Sequence, residues 1–157
     1  MRKIILLLTI SLAGTLHSFC QSDKSFFVEI LGNGIGASLN FDSRLSKSDK
    51  GFGYRLGAGI FPGTLFNAPF VTIPLGVNYL AGHAPNYLEA GVGATVMPGV
   101  KVFWDDNYRA SGVLFIPNLG YRYARKNKGF QGRLGISPWI GDGGVVFMGG
   151  LSVGYHF

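Results

Sequence analysis

One cysteine, Cys20, stands alone in the 157 residues, so an internal disulfide framework is excluded. Charged residues make up only 14% of the chain, and no run of Lys or Arg is interleaved with aromatics as a nucleic-acid face would need. Beyond residue 20 no apolar stretch approaches the ~20 residues of a helical membrane span, and the 3.6-residue period of an amphipathic helix is also missing. What remains is alternation. In the last thirteen residues Val145, Phe147, Leu151, Val153, Tyr155 and Phe157 share one face, and Met148, Gly150, Ser152, Gly154 and His156 share the other. Apolar residues on one side and small or polar ones on the other are what a strand between lipid and a lumen requires.

The N-terminus has a different character. Arg2 and Lys3 precede the apolar run from Ile4 to Ile10, and a short polar stretch follows, the pattern of a secretory signal peptide. Small residues Ser18 and Cys20 place the cut before Gln21, which divides the chain into a signal at 1–20 and one domain at 21–157. A lipoprotein signal would put Leu, a small residue and Gly or Ala before the cysteine, whereas His17, Ser18 and Phe19 stand there, so Cys20 reads as a discarded signal residue. Loss of Arg2 and Lys3 leaves 12 basic and 8 acidic residues. An exported chain seldom meets nucleic acid, and Lys47, Lys50, Arg125, Lys126 and Lys128 fall in turns, so the excess reads as a solvated rim.

Glycine is plentiful, 25 residues, and recurs inside segments that otherwise alternate, as where barrel walls bend or neighbouring side chains need room. Eight strands are expected, at 26–31, 35–45, 52–61, 70–80, 87–97, 113–124, 130–139 and 145–157. Short polar connections at 46–51, 81–86 and 125–129 alternate with longer ones at 62–68, 98–112 and 138–144, as when one barrel end has tight periplasmic turns and the other extracellular loops. The parity closes only if Gly32, Asn33 and Gly34 make a tight hairpin; one long strand over 26–45 would leave seven. Pro74 and Pro117 interrupt two strands, and the one-residue offset between TIPLGVNY and FIPNLGYRY predicts a bulge near Asn118, which would exchange the facing of Leu114 and Ile116.

Outward positions carry Leu39, Leu56, Val77, Leu119 and Leu151, where a soluble ligand barrel would place polar residues. At the expected periplasmic ends Phe26, Phe41, Tyr54, Tyr79, Tyr121, Tyr123, Phe130, Tyr155 and Phe157 also face outward, as in an interfacial aromatic girdle. The fold class is therefore all-β, an eight-stranded up-and-down antiparallel transmembrane β-barrel.

With these repeated strands and the terminal Tyr155, His156 and Phe157, the region from Ser25 to Phe157 resembles the small outer-membrane β-barrels of diderm bacteria, the eight-stranded group that includes OmpA/OmpX-type barrels. The resemblance implies a place in the outer membrane, contact with its lipid, and insertion by the barrel-assembly machinery with Phe157 as the assembly signal. This porin-like superfamily contains structural proteins, adhesins and lipid-modifying enzymes, so architecture does not choose among them.

Charges within a membrane span survive only in a lumen and only when paired. The inward candidates are Glu29, Asp42 and Glu89 against Arg44, Arg55, Arg122 and Arg133, with Asn40, Asn78, Asn118 and Gln131 between them. They read as a salt-bridged plug in a lumen too narrow to conduct; the alternative is a gated pore or proton path. Toward the extracellular end Gly36, Ser38, Gly57, Gly59, Gly91, Gly93 and Gly150 leave space beside Leu114, Ile116, Trp139, Val146 and Met148. That space is either an acyl-chain pocket or ordinary large-small packing.

Catalysis has thin support: Ser152 and His156 share a face but stand ~13 Å apart along one strand, and no catalytic residue is assigned. Asp105, Asp106 and Asn107, with Asp142 in the next long loop, read as turn chemistry rather than a calcium site. Neither metal nor cofactor is expected. Phe103, Trp104, Tyr108 and Arg109 in the longest loop suit contact with a protein or glycan, or belong to an upper girdle. The expectation is a monomeric, non-enzymatic barrel with a structural or surface-interaction role and an unknown surface ligand; the alternative is a lipid-binding or lipid A-modifying barrel enzyme.

Overall fold

A two-residue side-chain period lets a sheet keep opposite chemistries on its two faces, and closing that sheet turns one face into a lumen. The computed structural model describes residues 23–62, 69–98, 112–126, 128–141 and 144–157. The expected signal at 1–20, Cys20, and the loop residues Phe103, Trp104, Asp105, Asp106, Asn107, Tyr108, Arg109 and Asp142 lie outside them. Eight strands form the wall: β1 (Lys24–Leu31), β2 (Ala37–Arg44), β3 (Gly51–Phe61), β4 (Phe70–His83), β5 (Asn86–Val96), β6 (Val113–Ala124), β7 (Gly129–Ile136) and β10 (Gly149–His156). Between the last two, β8 (Trp139–Gly141) and β9 (Gly144–Val146) form a small extra hairpin.

Each wall strand pairs antiparallel with its neighbours from β1 to β7, and β10 joins β7 to β1. The result is a closed eight-stranded antiparallel up-and-down barrel. The closing seam runs from Ser25↔His156 to Leu31↔Gly150. Reciprocal bonds extend it by one residue, Phe157 N donating to Lys24 O at 2.8 Å and Lys24 N to Phe157 O at 3.2 Å. The end that carries these residues is the terminal end; the opposite one is the loop end.

Burial is inverted relative to a water-soluble domain. Among the described residues eight hydrophobic side chains are buried, against 19 polar or charged ones, while 30 large hydrophobic residues are exposed. Aromatics gather outside near the terminal end: Phe26 lies 5.1 Å from Phe41 and 5.9 Å from Phe157, Phe41 6.3 Å from Tyr54, Phe52 4.9 Å from Tyr79, and Tyr123 6.4 Å from Phe130. Phe41 and Tyr123 are half-buried in this belt; its other members are exposed.

Three expectations are corrected. Gly32–Gly34 does connect β1 to β2 and so keeps the count at eight, but as a 3-10 turn folded into the lumen rather than a rim hairpin. Gly32, Asn33, Gly34, Ile35 and Gly36 are all buried. Thr72 Oγ1 donates to Gly34 O at 2.9 Å, Thr95 Oγ1 to Asn33 O at 2.5 Å, and Trp139 Nε1 to Gly32 O at 2.8 Å, so three strands satisfy the turn's carbonyls. Leu31 and Ile35 have φ of 61° and 69°. A left-handed β-branched residue is strained, and the burial of Ile35 among Phe61, Met97 and Ile116 offsets that strain.

Second, the bulge near Asn118 is not formed. The β5–β6 register runs unbroken from Asn86↔Tyr123 to Val96↔Val113, leaving Ile116 inward and Phe115 and Leu119 outward. Pro74 interrupts its strand as expected, by removing a donor: β3–β4 pairing stops at Leu56↔Leu75 and resumes at Gly59↔Thr72 in the same register.

Third, the strands expected at 130–139 and 145–157 each break, because Pro138 cannot donate to the ladder and Gly149 and Gly150 let the partner bend. Ser137 N bridges the break to Met148 O at 2.7 Å. In β9 the alternation is lost, and Val145, Val146 and Phe147 are all exposed, Val146 in place of its expected lumen position.

At the loop end, of the two readings of the lumen, large-small packing is the one observed. Ile35, Phe61, Met97 and Ile116 fill it, backed by Phe70, Leu114 and Trp139, and the tucked turn completes the seal. Replacing Thr72 and Thr95 together by Val should lower unfolding stability in detergent by ~1–3 kcal/mol, since each change removes one hydrogen bond to a buried carbonyl. Urea titration reads the loss, and hydrogen exchange should show faster exchange at the Gly34 to Gly36 amides.

Candidate functional site

Below the apolar seal, successive inward positions of seven strands converge. β1 supplies Glu29, β2 Asp42 and Arg44, β3 Arg55, β4 Asn78, β5 Glu89, β6 Arg122 and β7 Arg133, all of them buried. The pleat of the strands aims these groups inward. A strand residue that turns its side chain into so narrow a lumen meets the residues of the opposite wall.

Arg122 is the bridge. Its Nε donates to Glu89 Oε2 at 2.8 Å and its Nη2 to Glu89 Oε1 at 2.9 Å, while Nη1 reaches Asp42 Oδ1 at 3.1 Å. Arg44 Nη2 donates to Asp42 Oδ1 at 2.7 Å and also to Asn78 Oδ1. The Asn78 amide donates to Asp42 Oδ2 at 2.7 Å and to Glu89 Oε1 at 3.1 Å, so it ties the two carboxylates together. Arg55 spans Glu29 and Glu89 at 3.3 Å each, and Glu29 Oε2 also accepts from Gly34 N, linking the network to the tucked turn.

Arg133 differs from the other three. Its closest carboxylates are Glu89 at 3.6 Å and Asp42 at 3.7 Å, and its one hydrogen bond is a 3.5 Å contact to Ser25 Oγ. Its guanidinium carbon lies 3.7 Å from the centroid of the Phe27 ring, with that of Arg55 5.0 Å away. Phe27 is a lumen residue that sequence reasoning missed, as it missed Phe61, Met97, Thr72 and Thr95. Its signal was available, since it sits between the outward Phe26 and Val28. Gly53 is needed for room: a Cβ there would lie within 2.1–2.7 Å of the Arg44 guanidinium.

The terminal end opens into a vestibule of about 600 Å³ whose lining includes Asp23, Lys47, Asp49, Arg125 and Lys126. Tyr87 closes part of its floor and donates its hydroxyl to Asp49 Oδ2 at 2.7 Å. His156 Nδ1 lies 3.2 Å from Asp23 Oδ1. Burial pushes the Asp23 carboxyl above its ordinary range, and the neighbouring His156 opposes that rise.

Chemically the arrangement holds charge in place. Among the described residues every buried carboxylate is engaged by an arginine. Ser152 Oγ and His156 Nε2 have no hydrogen-bond partner, so neither activates the other. Among the same residues no group of three His, Cys, Asp or Glu side chains is placed to hold a metal ion. Phe157 sits at the closing seam with its backbone paired and its ring stacked on Phe26.

No protein-family model and no curated protein matches the chain. Its fold matches that of a solved structure, the N-terminal β-barrel domain of Pseudomonas aeruginosa OprF, at a TM-score of 0.52 and 15% identity, covering 87% of this chain and 96% of that one. The β-barrel fold is thus shared.

If the network is a single electrostatic unit, Arg122→Met should cost ~3–5 kcal/mol, because it takes the two-bond partner from Glu89 and one of the two close arginines from Asp42 while both carboxylates stay buried. Adding Glu89→Gln should recover part of that loss. Denaturant unfolding of the two variants, followed by tryptophan fluorescence, measures both effects.

Proposed function

We propose that this chain is an exported outer-membrane β-barrel with a non-enzymatic role, structural or in surface interaction. The observation that carries the reading is the inverted barrel: an apolar outer wall with an aromatic belt at the terminal end, around a polar, ion-paired lumen. Large apolar side chains left in water forgo roughly 1.5–3 kcal/mol each, a cost that a lipid surround removes for the whole wall. Under this reading residues 1–20 direct export, 21–157 form the mature barrel, the partners are outer-membrane lipid and the barrel-assembly machinery, and the protein is a monomer. Phe157 serves as the assembly signal, consistent with its place at the seam where the barrel closes.

The filled lumen favours a structural role over transport or lipid chemistry. Ile35, Phe61, Met97 and Ile116 occupy the space that an acyl chain would need, and the network crosses the section below them. Surface contact would fall to the long connection with Phe103, Trp104, Tyr108 and Arg109.

Fractionation should find the protein in the outer membrane, with a band that migrates differently before and after boiling. A band insensitive to heat in a soluble periplasmic fraction would refute the membrane reading. Deletion of residues 102–110 should leave heat-modifiability intact while abolishing any binding of the purified barrel to matrix proteins or glycans; unchanged binding would take the contact away from that loop.

A further inference from the structure

The lumen does not balance its charge. Four guanidiniums, of Arg44, Arg55, Arg122 and Arg133, are buried with three carboxylates, of Glu29, Asp42 and Glu89, among the described residues. The surplus is localised. Asp42 is held at 2.7 Å by Arg44 and 3.1 Å by Arg122, Glu89 at 2.8 Å by Arg122, and Glu29 at 3.3 Å by Arg55. Arg133 is left with carboxylates no nearer than 3.6 Å and with the face of Phe27.

Arg133 Nε and Nη1 are buried without a hydrogen-bond partner, and so is Ser152 Oγ. Arg133 and Ser152 stand directly opposite each other on β7 and β10, both facing inward. A cavity of about 30 Å³ is lined by both, together with Asn118, Ser137 and Asn33, whose Oδ1 is also buried without a partner. That is room for one small ligand, since a buried water needs only ~10–15 Å³ by the same measure. Glu29 and Glu89 also line it, but each is already neutralised by Arg55 or Arg122.

We propose that this cavity is a binding site for one small monovalent anion, a halide such as chloride, held by the Arg133 guanidinium and the Ser152 hydroxyl. Buried polar groups without partners are rare in native proteins and point to a ligand, ion or water. A water would satisfy the hydrogen bonds, that to the Asn33 acceptor included, and leave the surplus charge; a halide answers the Arg133 and Ser152 donors and the charge together. A cation is disfavoured by the same surplus, and a sulfate or phosphate is too large for the cavity. On the same two strands Gln131 Nε2 and His156 Nε2, also buried and without partners, line the vestibule at the terminal end.

The test is bromide substitution in crystals of the refolded barrel, with data collected at the bromine absorption edge over a series of bromide concentrations. The expected result is an anomalous peak within hydrogen-bond distance of Arg133 and Ser152 that saturates with concentration. Density there without anomalous signal at the highest bromide would identify a water and overturn the proposal. In solution, the midpoint temperature of the heat-induced mobility change should be higher in chloride than in gluconate at equal ionic strength by about 2–4 °C; equal midpoints would count against the site. Arg133→Met should abolish the peak. Should that variant fail to fold, Ser152→Ala keeps the charge and should weaken halide affinity at least fivefold with the barrel intact; unchanged affinity would remove Ser152 from the site.

Discussion

The narrowness of the lumen governs this molecule. With eight strands the opposite walls come close enough for a side chain from one strand to meet those from several others, so an inward charge must find its partners across the barrel. Arg122 on β6 shows the consequence by holding Glu89 of β5 and Asp42 of β2 together. Once that bridge is set, Arg44 and Asn78 complete the coordination of Asp42, and Gly53 must lack a side chain for Arg44 to lie where it does. The ion pairs are thus less a sum of local contacts than a single cross-link between strands far apart in sequence.

The two ends of the barrel solve the same problem in different ways. At the loop end the chain supplies its own stopper: the turn between the first two strands folds inward, its carbonyls satisfied by Thr72, Thr95 and Trp139, and apolar side chains close around Ile35. Left-handed geometry at Leu31 and Ile35 is tolerated because the surrounding wall over-determines the turn. The terminal end has no such seal and opens into a vestibule rimmed by lysines and aspartates. Glu29, bonded to both Arg55 and the Gly34 amide, couples the seal to the charges. A disturbance of either is thereby transmitted to the other.

Much of this was legible because a β-strand reports its facing directly. Alternation placed Glu29, Asp42, Arg55, Glu89, Arg122 and Arg133 inward and Leu39, Leu56 and Leu119 outward, and it needed no knowledge of register. The errors arose where backbone chemistry interrupts the period. Pro138 with Gly149 and Gly150 broke two strands that read as continuous, and a bulge inferred from two prolines proved unnecessary because the β5–β6 ladder keeps its register through Pro117. The inserted turn had no sequence signal beyond Gly32, Asn33 and Gly34, whose composition fits a rim hairpin equally well.

The sequence by itself determined the class of fold and the inward or outward facing of nearly every wall residue, because a period of two is a local property; the count of eight over seven rested on the connection at Gly32–Gly34. Which charge meets which was decided by the tertiary structure. Pairing distances depend on register and closure, and these bring Asp42 to Arg122 from eighty residues apart. The same is true of the loose placement of Arg133 and of the sealed loop end: both come from how the barrel fills its interior, a competition for space that no single strand contains.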